Sequence, residues 1–299
     1  MSIRSVGYIG LGVMGLPMCR HLARKAAQAG LAQVLAHDPQ PAALAQLADD
    51  GVVACATVRE LVEQADAVFF CLPGGPQVAS LVEGDGGLLS AAREGQIVLD
   101  LGTTPVPLTR RLHAAFAERG VAFLDAPVTR TRQAAQAGTL STLVGGDAAV
   151  LEQVMPLLRC FSAEVTLCGP IGAGQIFKQM NNMVLFQTVA ALSEALVTAR
   201  AAGVDPALLF EAMSKGSADS FALRNHGVKA LLADDFPLRA FPVTYALKDL
   251  EYALELAESE GLQLPGARQV RDRFHKAIEA GLGDAYFPVI VKTLTGPDA

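Results

Sequence analysis

Lys178, Asn181 and Asn182 are the residues of this chain whose types and spacing best fit proton-transfer chemistry. They lie in the run Gly172-Ala173-Gly174-Gln175-Ile176-Phe177-Lys178-Gln179-Met180-Asn181-Asn182. On a helix, positions i+3 and i+4 stack on position i, so an ammonium and two carboxamides share one face near the helix start. A surface helix would account for the lysine. It accounts less well for two asparagines in a helix interior, where Asn competes with its own backbone. The apolar neighbours Ile176, Phe177, Met180, Met183, Val184, Leu185 and Phe186 point to a largely buried helix. A lysine in partly apolar surroundings loses proton affinity, which suits it to general acid/base work near neutral pH.

A second group lies at the amino end. Gly10-Leu11-Gly12-Val13-Met14-Gly15 follows the apolar stretch Val6–Ile9 and precedes a helix-like segment. In such a G-x-G-x-x-G turn the first glycine permits a tight strand-to-helix turn. The second lets a pyrophosphate approach the backbone, and the third lets the helix pack closely on the strand. The helix N-terminus then offers free N–H groups to a phosphate. The motif alone is weak evidence. It is supported by Asp38, at the end of the next apolar run Val34-Leu35-Ala36, near the usual spacing of about 20 residues for a carboxylate that bonds an adenosine ribose. Pro39 and Gln40 follow, with no arginine placed for a 2′-phosphate. The expected cofactor is therefore NAD rather than NADP.

Composition narrows the function classes. The chain has 299 residues, 51% hydrophobic and 18% charged, with a formal charge of −6. That balance gives no electrostatic footprint for nucleic acid or an anionic membrane. The five cysteines show no C-x-x-C pairing and read as reduced thiols, so a cytoplasmic location is expected. No signal-peptide pattern and no run of about 18 uninterrupted apolar residues is evident. The five histidines are scattered without metal-ligand spacing, so no metal is expected.

The elements that must position these groups change character along the chain. Candidate strands at Val6–Ile9, Val34–His37, Ala67–Cys71, Ile97–Leu101, Ala122–Asp125, Ser141–Val144 and Glu164–Leu167 alternate with helical stretches, among them 41–50, 58–64 and 107–119. This is the pattern of an α/β doubly wound parallel sheet. From Gly172 to about Ala202 one long helix is expected, ending at Gly203. Further helices are expected at 205–215, 221–232, 244–260 and 265–280. The reading is an NAD-binding Rossmann domain over 1–168 and an all-helical substrate and oligomerisation domain over 169–299, joined by the long helix.

Several further motifs combine with these into a resemblance. Gly10 through Met18, Asp125-Ala126-Pro127-Val128, Ala137-Gly138-Thr139-Leu140, Gly172 through Asn182, and Lys248-Asp249-Leu250 together resemble the successive signatures of the β-hydroxyacid dehydrogenases, typified by 3-hydroxyisobutyrate dehydrogenase. The resemblance runs from end to end. It implies that Lys178 is the catalytic acid/base and that Asn182, with Asn181 beside it, orients the substrate. It implies cofactor contacts from Gly10, Leu11, Gly12, Val13, Met14 and Gly15, from Leu72, Pro73 and Gln77, from Thr103, and from Lys248. Gly102 departs from the serine usual before that threonine. Asp249 reads as a helix-surface or lysine-pairing acid.

The substrate loop departs further. Family members that take simple 3-hydroxy acids generally read Ser-Gly-Gly after the valine, whereas this chain reads Thr129-Arg130-Thr131-Arg132. Thr129 can keep the hydroxyl, but the permissive backbone of the two glycines is expected to be lost. The loop is closer to that of the sulfolactaldehyde reductases of the same family, which read Gly-Arg-Thr-Ser and use the arginine on a sulfonate. Thr129, Arg130 and Thr131 are accordingly expected to hold the acid group, although Arg130 or Arg132 could instead pair with a surface acid. The implied function is interconversion of a small 3-hydroxy acid, or a sulfonate analogue, and its semialdehyde by a homodimer or homotetramer. An imine reductase or a non-catalytic NAD-binding protein are the alternatives. The helical half is too short for a 6-phosphogluconate dehydrogenase.

Overall fold

The computed structural model describes residues 3–238 and 240–294. The chain divides into two compact units, one ending at Lys178 and the other starting at Gln179.

The first unit is built on a nine-stranded sheet. Its strands are β1 (Ser5–Ile9), β2 (Gln33–His37), β3 (Val53–Ala54), β4 (Ala67–Phe70), β5 (Ile97–Asp100), β6 (Ala122–Asp125), β7 (Val128–Thr129), β8 (Leu140–Gly145) and β9 (Ser162–Gly169). Between them lie α1 (Gly15–Arg24), α2 (Pro41–Ala45), α3 (Val58–Gln64), α4 (Gly75–Glu83), α5 (Leu88–Ala91), α6 (Val106–Ala117), α7 (Arg132–Ala137) and α8 (Ala148–Leu158). The order is β3-β2-β1-β4-β5-β6-β8-β7, with β9 on β8. The connection reverses between β1 and β4, and the carboxyl ends of those strands form the crevice where open α/β sheets bind ligands.

Side chains alternate across this sheet. Val6 and Tyr8 of β1, Ala67 and Phe69 of β4, and Ile97 and Leu99 of β5 enter one apolar cluster. Their neighbours Ile9, Val68, Phe70 and Val98 enter the cluster on the opposite face. Both faces are therefore buried, which is why these strands read as continuous apolar runs.

The sheet differs from the sequence expectation at its far side. β1 to β6 pair in parallel, but β8 runs antiparallel to β6 through Asp125 and Gly145, and β7 runs antiparallel to β8. Two-residue β3 and β7 were not expected. The helix expected over 41–50 is broken into α2 and a separate 3-10 turn at Ala48–Asp50.

The long helix α9 (Ala173–Ala201) begins in the first unit and continues into the second. By length and composition it could cross a membrane. Its residues Phe186, Val189, Leu192 and Leu196 instead belong to the second unit's core. Around them lie α10 (Pro206–Met213), a π-helical segment Leu223–Leu232, α11 (Val243–Ser259), α12 (Pro265–Glu279) and a 3-10 segment Phe287–Thr293. Phe186 is the hub, its ring 5.5 Å from Phe274 and 5.2 Å from Phe287, both edge-on. Such contacts add about 0.5–1.5 kcal/mol each beyond area burial.

Candidate active site

The glycines of the turn after β1 are present for three separate reasons. Gly10 has φ +91°, and a Cβ there would meet the Cys71 carbonyl oxygen at 2.5 Å. A Cβ on Gly15 would lie 1.9 Å from the Gly10 oxygen, so α1 packs on the turn without room for a methyl. A Cβ on Gly12 would meet nothing within 4 Å. The middle glycine thus faces open space at the entry to α1, where N–H groups are unpaired within the helix. This cradle fits a pyrophosphate.

Asp38 closes the same turn. Its Oδ2 accepts the Leu11 N–H at 2.7 Å and its Oδ1 accepts the Gln40 N–H at 2.8 Å. A carboxylate has about four lone-pair sites, so both bonds leave acceptor capacity for ribose hydroxyls. Val13 is exposed and Met14 half-buried just before α1.

The turns after β4 and β5 come together beside this loop. Leu72 touches the Gly10 position through its side chain, and its carbonyl oxygen would lie 3.0 Å from a Cβ on Gly102. A side chain at 102 would be tight against this oxygen and against Asp100 Oδ1, 3.2 Å from the same Cβ position. Asp100 organises the turn from within, accepting the Gly102 N–H at 2.8 Å and the Thr104 hydroxyl at 2.6 Å. Thr103 is half-buried between them, while Pro73 and Gln77 are exposed.

The first turn of α9 is anchored by Asp125, at the end of β6. Its carboxylate accepts N–H bonds from Gly172 at 2.7 Å and Gln175 at 2.8 Å. Burial holds its carboxyl above the usual aspartate range, against the opposing pull of those backbone donors. Glycine is required on both sides: a Cβ on Gly145 would sit 2.4 Å from Asp125 Oδ1, and one on Gly174 would sit 2.4 Å from the Leu143 oxygen. The Gln175 side chain, fully buried, accepts the Thr104 N–H and donates to the Gly102 oxygen, both at 3.0 Å. Lys178 follows, half-buried, three residues further along the same helix.

In the substrate-loop candidate, Arg130 has φ +82°. The left-handed backbone expected to vanish with the glycines is therefore kept, carried by an arginine. Its Nη1 donates to the Thr139 oxygen at 2.7 Å, and the residue is exposed. The Thr131 hydroxyl caps α7 by accepting the Ala134 N–H. Thr129 donates weakly to the Ser141 oxygen at 3.4 Å.

The second unit holds the remaining candidates. Asn182 is buried; its Nδ2 donates to Asp249 Oδ2 at 2.7 Å, and its Oδ1 accepts from Asn181 Nδ2 at 3.1 Å. Because a carboxylate only accepts, Asp249 dictates which end of the Asn182 carboxamide faces it. Lys248 Nζ lies 2.9 Å from Asp249 Oδ1, close enough for an ion pair though not aimed as a hydrogen bond. The same ammonium lies 5.1 Å from the Tyr252 ring centre. Asp249 is thus lysine-paired and not on the helix surface.

Residues 5–169 match the model described as the NAD binding domain of 6-phosphogluconate dehydrogenase. Residues 172–294 match that described as the NAD-binding domain of NADP-dependent 3-hydroxyisobutyrate dehydrogenase. The 2-hydroxy-3-oxopropionate reductase of Escherichia coli K12 is 33% identical over 97% of this chain and 96% of its own. The chain belongs to the β-hydroxyacid dehydrogenase family. It is an oxidoreductase with an NAD-binding domain. Among solved structures, 3-hydroxyisobutyrate dehydrogenase of Mycobacterium tuberculosis, determined with L-serine, superimposes with a TM-score of 0.88 at 30% identity, covering 99% of this chain and 100% of that one. An imine reductase from Pseudomonas sp. reaches a TM-score of 0.61 at 18% identity, over 98% of this chain and 99% of that one, a likeness of fold alone.

For this dehydrogenase, sequence reasoning did not reach Gln175, Thr104 or the bond from Asp249 to Asn182. The available signal was polar residues at positions 175, 179 and 182 of an otherwise apolar helix, since buried polar groups imply partners.

Proposed function

We propose that this dehydrogenase interconverts a small 3-hydroxy acid, or its sulfonate analogue, and the corresponding semialdehyde, with Lys178 as the proton-transfer residue. The observation carrying this reading is the helix stripe itself: Lys178 and Asn182 lie one turn apart on α9, and the Asn182 carboxamide is oriented by a buried carboxylate. NAD, when bound, supplies the hydride acceptor or donor. Gly10 through Gly15 would hold its pyrophosphate and Asp38 its ribose, Thr103 would border its nicotinamide, and Leu72, Pro73, Gln77 and Lys248 would meet its remaining surface. In oxidation Lys178 Nζ takes the hydroxyl proton, and in reduction it returns one to the developing alkoxide. Asn182, flanked by Asn181, aims the hydroxyl. Thr129, Arg130 and Thr131 take the acid group, and Arg130 adds a planar cationic donor set suited to a sulfonate or a second carboxylate.

On this reading residues 1–168 form the NAD-binding domain, which also lends the 129–131 loop to the acid group, and residues 169–299 supply Lys178, Asn181 and Asn182 and a homodimeric or homotetrameric assembly, in the cytoplasm. A proton-transfer lysine has no use in a non-catalytic NAD sensor, which favours the enzyme reading.

Lys178→Ala should leave NADH binding intact and lower turnover by roughly 10²–10⁴-fold. The assay is NADH oxidation with a panel of 2-hydroxy-3-oxopropionate, methylmalonate semialdehyde, succinic semialdehyde and sulfolactaldehyde. Near-normal turnover of the variant would remove Lys178 from the mechanism. NADH should be preferred over NADPH because Asp38 would repel a 2′-phosphate. Equal kcat/KM for the two cofactors would show that Asp38 does not discriminate.

A further inference from the structure

One side chain joins the turn after β5 to the first turn of α9. Gln175 Oε1 accepts the Thr104 N–H and Gln175 Nε2 donates to the Gly102 oxygen, both at 3.0 Å, across 71 and 73 residues of sequence. These bonds fall on the residues immediately before and after Thr103. Both ends of the bridge are fixed. The turn is closed from within by Asp100, which holds Gly102 N–H and the Thr104 hydroxyl. The helix end is held by Asp125, which accepts the Gln175 backbone N–H itself. A carboxamide offers a donor and an acceptor from one plane, and this site uses one of each. Lys178 stands at i+3 from Gln175, on the adjoining part of the same helix face.

We propose that Gln175 is a positioning residue, which sets the separation between the turn carrying Thr103 and the helical turn carrying Lys178. The inference rests on the functional reading above, in which Thr103 borders the nicotinamide and Lys178 moves the proton. Hydride and proton must then pass to and from one substrate held between those two elements, and a displacement of about 1 Å in such a geometry lowers a rate by about a hundredfold. A bridge of two hydrogen bonds between rigidly held ends limits that displacement.

A merely space-filling role and a positioning role are separated by Gln175→Glu. An ionised glutamate still accepts the Thr104 N–H but sets a second acceptor against the Gly102 oxygen. Once protonated, its O–H restores the missing donor. Burial raises a carboxyl pKa, so this restoration falls in an accessible pH range.

The experiment compares wild type, Gln175→Ala and Gln175→Glu with NADH and whichever aldehyde of the panel the wild type reduces best. In parallel, amide hydrogen exchange at Thr104 is followed in the cofactor-free proteins. For Gln175→Ala we expect kcat to fall by about tenfold to a hundredfold, with faster exchange at Thr104. For Gln175→Glu we expect protection at Thr104 to persist and kcat relative to wild type to climb several-fold between about pH 8.5 and 6.5. The proposal is overturned if Gln175→Ala keeps both kcat and Thr104 protection, or if Gln175→Glu shows no pH-dependent recovery. Should Gln175→Ala fail to fold, the pH profile of Gln175→Glu decides alone. A wild type inert toward the whole panel would sink the functional reading and this inference with it. An active wild type with indifferent Gln175 variants would sink only the inference.

Discussion

Two loops of the nucleotide-binding unit hold left-handed backbone by different means. At Gly10, φ is +91° and no side chain fits, because a Cβ would lie 2.5 Å from the Cys71 oxygen. At Arg130, φ is +82° and an arginine occupies the position. Left-handed backbone costs a non-glycine residue about 1–2 kcal/mol. The bond from Arg130 to the Thr139 oxygen offsets part of this. Glycine would serve the backbone better at both sites, so the exception points to a use for the guanidinium. The glycine turn is defined by the side chains it must lack, and the 129–131 loop by one it carries against local preference.

The largest effect should come from Gly15→Ala. Its methyl would lie 1.9 Å from a backbone oxygen that cannot yield without opening the turn. We expect roughly 3 kcal/mol or more of destabilisation, at the upper end for overpacking, together with loss of NADH binding. Gly12→Ala should behave oppositely, with an unchanged Tm but weakened NADH binding, because its methyl enters only the open cradle. Equal Tm values for the two variants in calorimetry would break the assignment of distinct roles to these glycines.

Acid provides a control within the second unit. Burial lowers the His226 pKa from 6.5 to about 4, and its Nδ1 is met by the Tyr286 hydroxyl at 2.5 Å. The folded state therefore favours neutral imidazole, and this stability is present above the unfolded pKa and lost as pH falls from about 6.5 to 4. Up to about 3 kcal/mol is at stake. His226→Gln should flatten the acid limb of a urea-denaturation series over that window; an unchanged limb would assign the loss elsewhere.

The proposed substrate role of the 129–131 loop is tested by a pair of variants at one position. Arg130→Ala should weaken binding of an acidic or sulfonated aldehyde by about 1.5–3 kcal/mol, mainly through KM, with little effect on an uncharged aldehyde. Arg130→Gly should lose the same affinity yet gain about 1 kcal/mol of stability by relieving the backbone. If Arg130→Gly is less stable than wild type, the contact with Thr139 outweighs the backbone term and the contrast between the two loops fails.

The parts of this protein legible in the sequence are those set by neighbours within a few residues. The strands of the parallel sheet were evident as short apolar runs because both faces are buried, and α9 was evident from an uninterrupted helical stretch ending at a glycine. Two-residue β3 and β7 are too short to carry a pattern, and the antiparallel direction of β8 is not a local property. Residue type and spacing likewise singled out Lys178, Asn182 and the glycine turn. They could not reveal that Asp125 holds the start of α9, that Gln175 bridges to the Thr103 turn, or that Asp249 orients Asn182. Those partners stand 47, 71 and 67 residues apart. Nor could they show that Arg130 adopts a glycine's backbone, since side-chain type only biases φ. Local propensity is written residue by residue, whereas a hydrogen bond across such separations exists only once the chain has closed around it.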